Sequence, residues 1–148
     1  MSLTEKLQED MKLAMKSRDE LRLSTIRLLR SSVGYARIDK GDELTDDEVL
    51  EVLSRDAKRR REAIEAAEAG GRSDVADRER AELDIISEYL PKQLDEAEIE
   101  AIAREIAAEV GASELKDRGK LMGPLMQRIR GRADGKLAAS IAEMLLRG

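Results

Sequence analysis

Apolar residues recur at the spacing of an α-helix along almost the whole chain, and this feature restricts its fold more than any other. Seven such segments can be distinguished, most of them opened by a capping residue or closed by a glycine or proline. No segment alternates apolar and polar residues with the two-residue period of a β-strand. The pattern predicts an all-α protein with a four-helix N-terminal unit followed by a small three-helix tail.

Pro91 marks the clearest division between the two predicted units. Proline disfavours helical geometry in the residue before it, so the helix that runs to Leu90 should stop there. Asp95 then provides the N-cap of a new helix. We therefore predict an N-terminal helical domain over residues 1–92 and a C-terminal helical tail domain over residues 93–148.

Serine and threonine residues predict where the N-terminal helices begin. Ser2, Ser17 and Thr45 are each followed three residues later by glutamate, the pattern of a capping box, and Ser73 is a further N-cap. The second helix has an apolar stripe over about half its circumference, which predicts contact with several neighbouring helices. That stripe consists of Leu21, Ile26, Leu28, Leu29, Val33, Tyr35 and Ala36.

Composition excludes much of the chemistry that enzymes use. The chain has no cysteine and no histidine, so it lacks thiolate ligands and the commonest general base. Gly119-Lys120 lacks the glycine spacing and the Ser/Thr of a phosphate-binding loop. We expect no catalysis by this chain on its own, no cofactor and no metal site. No apolar run approaches the ~18 residues of a membrane span, which predicts a soluble cytoplasmic protein.

A basic segment, residues 116–136, stands out against an acidic chain. The whole chain has a net charge of −5, whereas seven Lys and Arg in this segment face only Asp117 and Asp134. A local field of the opposite sign indicates an anionic partner. The residues from Gln93 to Leu115, just before it, are acidic and could dock on the basic segment or repel RNA from the wrong face.

Gly119 and Gly123 lie four residues apart and therefore on one face of the predicted sixth helix. Two glycines inside a helix cost about 1 kcal/mol each relative to alanine. Either a neighbouring helix packs against this smooth face, or the backbone of a partner approaches it closely. Pro124 predicts a kink in this helix, or a start nearer Leu121.

Four consecutive cations, residues 58–61, could form a second nucleic-acid patch. Consecutive helical positions point in different directions, however, so they cannot all face one partner. Asp56 with Arg60 and Lys58 with Glu62 have the spacing of helical ion pairs. The favoured interpretation is a solvated helix face that is neutralised locally.

The glycine-rich and arginine-rich motifs resemble those of the GatB/YqeY family. Members of this family are small bacterial proteins similar to the C-terminal tail of the B subunit of the glutamine- and tRNA-dependent amidotransferase. Pro124 departs from the family pattern, in which a helix-compatible residue is expected. The matching motifs are Gly119-Lys120-Leu121-Met122-Gly123, Gly131-Arg132-Ala133-Asp134-Gly135-Lys136, Arg27-Leu28-Leu29, Arg59-Arg60-Arg61-Glu62-Ala63 and Tyr89-Leu90-Pro91.

The resemblance implies a non-catalytic tRNA-binding accessory role in aminoacyl-tRNA metabolism and translation. The amidotransferase B subunit, part of a carbon–nitrogen ligase with glutamine as amido donor, does its chemistry in an upstream domain with no counterpart here. The implied partners are tRNA, bound weakly, and an aminoacyl-tRNA synthetase or amidotransferase. With two aromatic residues, binding would depend on phosphates, 2′-hydroxyls and RNA shape. The expected contacts are Lys116, Arg118, Gly119, Lys120, Gly123, Arg128, Arg130, Gly131, Arg132, Gly135 and Lys136.

A second hypothesis is a helical adaptor protein. In that case the basic segment docks an acidic surface of a partner protein, and RNA plays no part. RNA that copurifies with the protein and is removed by high salt would distinguish the two hypotheses.

Overall fold

The computed structural model describes the whole chain, Met1–Gly148, and contains seven α-helices and no strand. The predicted all-α fold is confirmed. One short 3₁₀ turn, Leu115–Asp117, precedes the sixth helix. The helices are α1 (Leu3–Ser17), α2 (Glu20–Lys40), α3 (Asp46–Ala69), α4 (Ser73–Ser87), α5 (Glu96–Val110), α6 (Arg118–Ile129) and α7 (Gly135–Arg147).

The chain divides into two compact units, Met1–Leu90 and Pro91–Gly148. The first contains α1 to α4 and the second contains α5 to α7. Each unit buries its own cluster of aliphatic side chains. That the tail folds as a small unit of its own stays a prediction.

Side-chain caps fix the starts of most helices. The capping box of α3 is complete, because Thr45 accepts a hydrogen bond from the Glu48 backbone and Glu48 accepts one from the Thr45 backbone. Ser2 caps α1 and Asp95 caps α5 in the same way, each by accepting a backbone N–H three residues on.

Two predicted caps are wrong. Asp19 caps α2, because Arg18 adopts a left-handed conformation (φ 57°) that ends α1, and the Ser17 hydroxyl donates back to the Ala14 carbonyl. Ser73 is the first residue of α4 and not its N-cap, and Arg72 precedes it without a capping side chain. Both errors move a helix start by at most two residues, so the packing is unaffected.

In the first unit, α2 contacts α1, α3 and α4, as its broad apolar stripe predicted. Only part of that stripe is buried, however. Ile26, Leu29 and Val33 lie in the core, whereas Leu28 and Tyr35 are exposed. The core of this unit consists of Leu7, Ile26, Leu29, Val33, Val49, Val52, Leu53, Ala57, Ile85, Ile86 and Tyr89.

Arg60 is a structural residue that joins α3 to α4. Only 14% of its side chain is exposed, and its guanidinium pairs with Glu79 at 3.2 Å and with Glu82. The predicted pair between Asp56 and Arg60 is wrong, because Asp56 pairs with Arg59. The four cations therefore form neither a continuous nucleic-acid patch nor a wholly solvated face.

Tyr89 ties the end of α4 to α1. Its hydroxyl donates to the Asp10 carboxylate at 2.5 Å, and the Lys6 ammonium lies 5.2 Å from the centre of its ring. Burial, together with the bond to Asp10, raises the pKa of Tyr89 above its usual range. The helix itself ends at Ser87, three residues before the predicted end at Leu90.

Candidate nucleic-acid interface

The basic segment starts in the 3₁₀ turn, forms the whole of α6 and ends in the first turn of α7. The inner face of α6 is apolar, and Leu121, Leu125 and Ile129 pack into the core of the second unit against α5 and α7. The helix begins at Arg118 and runs through Pro124, so the predicted start near Leu121 is wrong. The exposed Pro124 lies on the outer side, where the carbonyl that lacks its helical donor can be solvated.

Gly119 and Gly123 form a bare surface on the outer side of α6, which we call the glycine face. A Cβ atom built on either residue would meet no other atom within 4 Å. Packing of another helix is therefore not the reason for these glycines, and that alternative from the sequence is wrong for the chain itself. Lys120, also exposed, lies on the same side of the helix.

Four cations of the segment form ion pairs inside the second unit. Lys116 pairs with Glu114 and Arg118 with Glu143 at 3.2 Å, Lys120 with Asp117 at 3.9 Å, and Arg128 with Glu105 at 3.1 Å. These cationic side chains remain largely exposed, so each pair contributes little to stability, about 0–1 kcal/mol. A phosphate could replace the carboxylate at little cost.

The ion pairs also show that the cations do not form one cluster. Arg118 reaches towards Glu143 on α7, whereas Arg128 reaches towards Glu105 on the acidic helix α5. Of the two alternatives for the acidic residues, docking on the basic segment is the one that this contact favours. The predicted cations thus reach both helices that flank α6, namely α5 and α7.

Asp117 stabilises the backbone just before α6. Its carboxylate accepts the backbone N–H groups of Ser113 at 3.0 Å and Glu114 at 3.2 Å. These two hydrogen bonds, helped by the nearby Lys120 and Lys116, keep the pKa of Asp117 below its usual range. The residue is therefore an ionised structural group in the middle of the basic segment.

The turn between α6 and α7 is hydrogen-bonded to the residues that precede α5. Gln93 donates its side-chain amide to the Gly131 carbonyl at 3.1 Å, and the Leu94 N–H donates to the Arg132 carbonyl at 2.7 Å. Gly131 has a positive φ of 74°, which favours glycine. The contact of Gln93 could not be predicted from the sequence, because nothing near an isolated glutamine indicates a hydrogen bond to a residue 38 positions away.

The start of α7 is capped and packed, which limits what it can bind. Asp134 accepts the Lys136 N–H at 3.4 Å, so its carboxylate takes up one of the free donors at this helix end. Gly135 is half-buried, and a Cβ atom there would lie 3.1 Å from the Met126 methyl group. Gly135, expected to contact RNA, is thus explained by packing between α6 and α7.

Exposure separates the expected contact residues into two groups. Gly131, Arg132 and Gly135 are partly buried in the turn and at the start of α7. The others are exposed: Lys116, Arg118, Gly119, Lys120, Gly123, Arg128, Arg130 and Lys136.

Two kinds of feature are absent from the structure. No helix combines the length and the apolar character that crossing a membrane requires. No group of three or more acidic side chains is arranged so that it could hold a metal ion.

Comparison with known proteins identifies the family. A family model of Yqey-like proteins matches residues 4–146, nearly the whole chain. The chain belongs to the GatB/YqeY family. The resemblance found in the sequence motifs is confirmed, and it extends through both units of this YqeY-like chain.

Relatives of this YqeY-like chain include fungal proteins named altered inheritance of mitochondria protein 41, mitochondrial. That of Lachancea thermotolerans is 35% identical over 118 residues, which are 75% of this chain and 63% of the relative. That of Pyrenophora tritici-repentis is 30% identical over 131 residues, 86% of this chain and 71% of the relative. The chain thus spans slightly less than two thirds of the Lachancea protein.

Proposed function

We propose that this YqeY-like chain is a non-catalytic accessory module that binds tRNA through the outer surface of α6 and the turn that follows it. Family membership supports a role beside a carbon–nitrogen ligase that uses glutamine as amido donor. The partner enzyme would be an amidotransferase or an aminoacyl-tRNA synthetase. A cytoplasmic location stays a prediction, and the fungal relatives are mitochondrial proteins by name.

The observation that carries this proposal is the glycine face of α6. Glycine is unfavourable inside a helix, and neither packing nor a positive φ accounts for Gly119, while Gly123 directly precedes Pro124, where a Cβ atom would disfavour the helical conformation. A helix without side chains on one face allows a ribose–phosphate backbone to come close to the peptide groups. Lys120, on the same side, supplies a positive charge for a phosphate.

The surrounding charges favour binding to the RNA backbone. Arg118 reaches towards α7 and Arg128 towards α5, and each forms an exposed ion pair. A phosphate that displaces Glu105 or Glu143 would gain a charge-assisted hydrogen bond to arginine. Because no aromatic residue lies in the basic segment, single-stranded bases would find no stacking platform there. We therefore expect structured tRNA to bind better than an unstructured strand.

The test is tRNA binding by the purified full-length protein over a range of salt concentrations. If about 4–6 phosphates are neutralised, log affinity should fall with log salt at a slope of roughly −3 to −5. Reversing Arg128, Arg130 and Arg132 together to glutamate should abolish measurable binding. Because Arg130 and Arg132 lie in and beside a fastened turn, circular dichroism must show that the variant remains helical.

A matched control reverses three exposed cations of the first unit, Lys12, Lys16 and Arg27, to glutamate. The total charge changes equally in both triple variants, so only a local effect of the basic segment separates them. The control should retain most of the affinity. If the variant at positions 128, 130 and 132 binds tRNA as well as the wild type does, the proposal fails and the adaptor hypothesis replaces it.

A further inference from the structure

We propose that α2 forms the interface of a homodimer, through exposed apolar residues that the first unit leaves uncovered. This inference concerns a different unit from the proposed tRNA surface and does not depend on it. The residues of this surface, called here the α2 seam, are Leu21, Ser24, Leu28, Ser31, Tyr35 and Ile38.

The α2 seam has the spacing of a helix–helix interface. Its members follow one another at alternating intervals of three and four residues, which keeps them on one side of a helix. This side points away from the core face of α2. Leu28 is 53% exposed, Tyr35 74% and Ile38 73%, although residues of these types are usually buried. Exposed apolar side chains that share one side of a helix, here Leu21, Leu28, Tyr35 and Ile38 with serines between them, mark an interaction surface more often than scattered ones do.

A groove lies beside the seam, between α2 and α3. Leu28 and Tyr35 form one wall, and Arg59 on α3 lies on the other side. Small side chains, Ser31, Ser32 and Ala63, line it next to them. A ridge of large side chains thus lies next to a groove that is lined by small side chains and by charged ones, among them Arg55, Lys58, Glu62 and Glu79.

This combination favours a second copy of the chain as the occupant. In a two-fold symmetric interface, the same surface must supply both the inserted side chains and the space that receives them. The Leu28 and Tyr35 side chains of one copy can enter the groove of the other when the two α2 helices run antiparallel. An RNA strand would instead leave these apolar side chains without an apolar partner.

The charges at the two ends of the seam also match in an antiparallel pair. Glu20 and Arg78 lie beside the Leu21 end, whereas Asp39, Arg55 and Lys58 lie beside Tyr35. A two-fold axis near the middle of the seam places the first end of one copy opposite the second end of the other. Each end carries both signs, so Glu20 of one copy can pair with Arg55 or Lys58 of the other, and Arg78 with Asp39.

The length of the seam suits a stable dimer. From Leu21 to Ile38 it extends over roughly 26 Å at 1.5 Å per residue. A standard interface buries about 800 Å² per partner, which corresponds to a patch with sides of roughly 28 Å. The seam together with the rim of the groove can supply a patch of this size.

Molar mass measured by sedimentation and light scattering tests the proposal. At about 100 µM, well above the Kd of a micromolar interface, the wild-type protein should have twice the 16.5 kDa mass of one chain. Leu28→Glu should raise the Kd of the dimer at least tenfold, because it places a charge at the centre of the interface. Met144→Glu is the matched control, since Met144 is also an exposed apolar residue but lies on α7, and this variant should remain dimeric.

Single cysteines test the antiparallel arrangement directly, because the chain contains none of its own. Ser31→Cys lies near the proposed axis and should form an intermolecular disulfide on mild oxidation. Ser24→Cys lies farther along the helix, so two copies would be separated by roughly 15–20 Å in an antiparallel pair. That distance exceeds the Cα separation of about 7 Å that a disulfide tolerates, and this variant should remain uncross-linked.

Each alternative outcome contradicts the proposal in a recognisable way. Efficient cross-linking at both positions would indicate parallel helices, and a dimer that survives Leu28→Glu would use another surface. A wild-type protein that stays monomeric at about 100 µM has no micromolar dimer interface. If that monomer loses tRNA binding in Leu28→Glu, the seam belongs to RNA instead.

Discussion

Replacing Arg60 with alanine should strongly destabilise the first unit, because this residue neutralises buried carboxylates. The guanidinium crosses from α3 to α4 and pairs with Glu79 and Glu82. Only 8% of the Glu82 side chain is exposed, so its charge is not solvated by water when the arginine is removed. Arg78 still reaches the same carboxylate at 3.3 Å, but from a largely exposed position.

Removing one partner of a buried ion pair costs about 3–5 kcal/mol, since the other charge is left without compensation. The remaining contact from Arg78 should keep the loss near the lower value, about 3 kcal/mol. That is a large part of the roughly 5–15 kcal/mol that stabilises an ordinary domain. In a unit of about 90 residues, the melting temperature should fall by about 10 °C or more.

Urea unfolding followed by circular dichroism measures this loss. Arg59→Ala is the matched control, because Arg59 pairs with Asp56 on the same helix but is 71% exposed, and it should lose less than about 1 kcal/mol. The double variant Arg60→Met with Glu82→Leu should recover most of the stability, since apolar side chains can replace a buried ion pair. A loss below about 1 kcal/mol in Arg60→Ala would refute the assignment of a buried structural pair.

Two further predictions concern the glycine face and the start of α3. Replacing Gly119 with alanine should stabilise α6 by up to about 1 kcal/mol, because the added methyl group meets open space. If RNA approaches this face, the same variant should bind tRNA more weakly, and unchanged binding would count against the proposed surface. Hydrogen bonds from Lys40 and Thr45 lower the pKa of Glu48 from 4.5 to about 2. The ionised carboxylate therefore contributes stability that is complete above pH 4.5 and is lost as the pH falls towards 2. The difference in unfolding free energy between wild type and Glu48→Gln should shrink over this range, and a constant difference would contradict the assignment.

The helices could be predicted because their signals are local. A cap such as Thr45 with Glu48 depends on residues three positions apart, and apolar spacing reports the buried face of each helix. In α2 the same spacing places Leu28 and Tyr35 in the apolar stripe, but both side chains are exposed. Periodicity shows that apolar residues share one side of a helix, but it does not show whether the chain itself covers that side.

The ion-pair partners of the charged residues were harder to predict than the helices, because those partners lie on other helices. Arg60 has Asp56 one turn away, yet it pairs with Glu79 and Glu82 on α4. Arg128 likewise pairs with Glu105, 23 residues distant. Ion pairs one helical turn apart can be predicted from the sequence because their geometry is known. Which ion pair forms between two helices is decided by burial in the folded structure. The net charge of a segment therefore overstates the charge that is available to a partner.

The glycines of the basic segment show how structure narrows the choice of functional residues. Gly131 is accounted for by its positive φ, and Gly135 by the Met126 methyl group beside it. Gly131 would be needed even if the protein bound nothing, whereas alanine at Gly135 would require the flexible Met126 side chain to move slightly. Gly119 has neither a positive φ nor a neighbour that requires glycine, and alanine should fit there with a gain in helix stability, whereas Gly123 directly precedes Pro124, whose ring disfavours a helical residue with a Cβ atom. A residue that folding alone does not require points to a partner outside the chain, so the glycine face is where binding should be tested first.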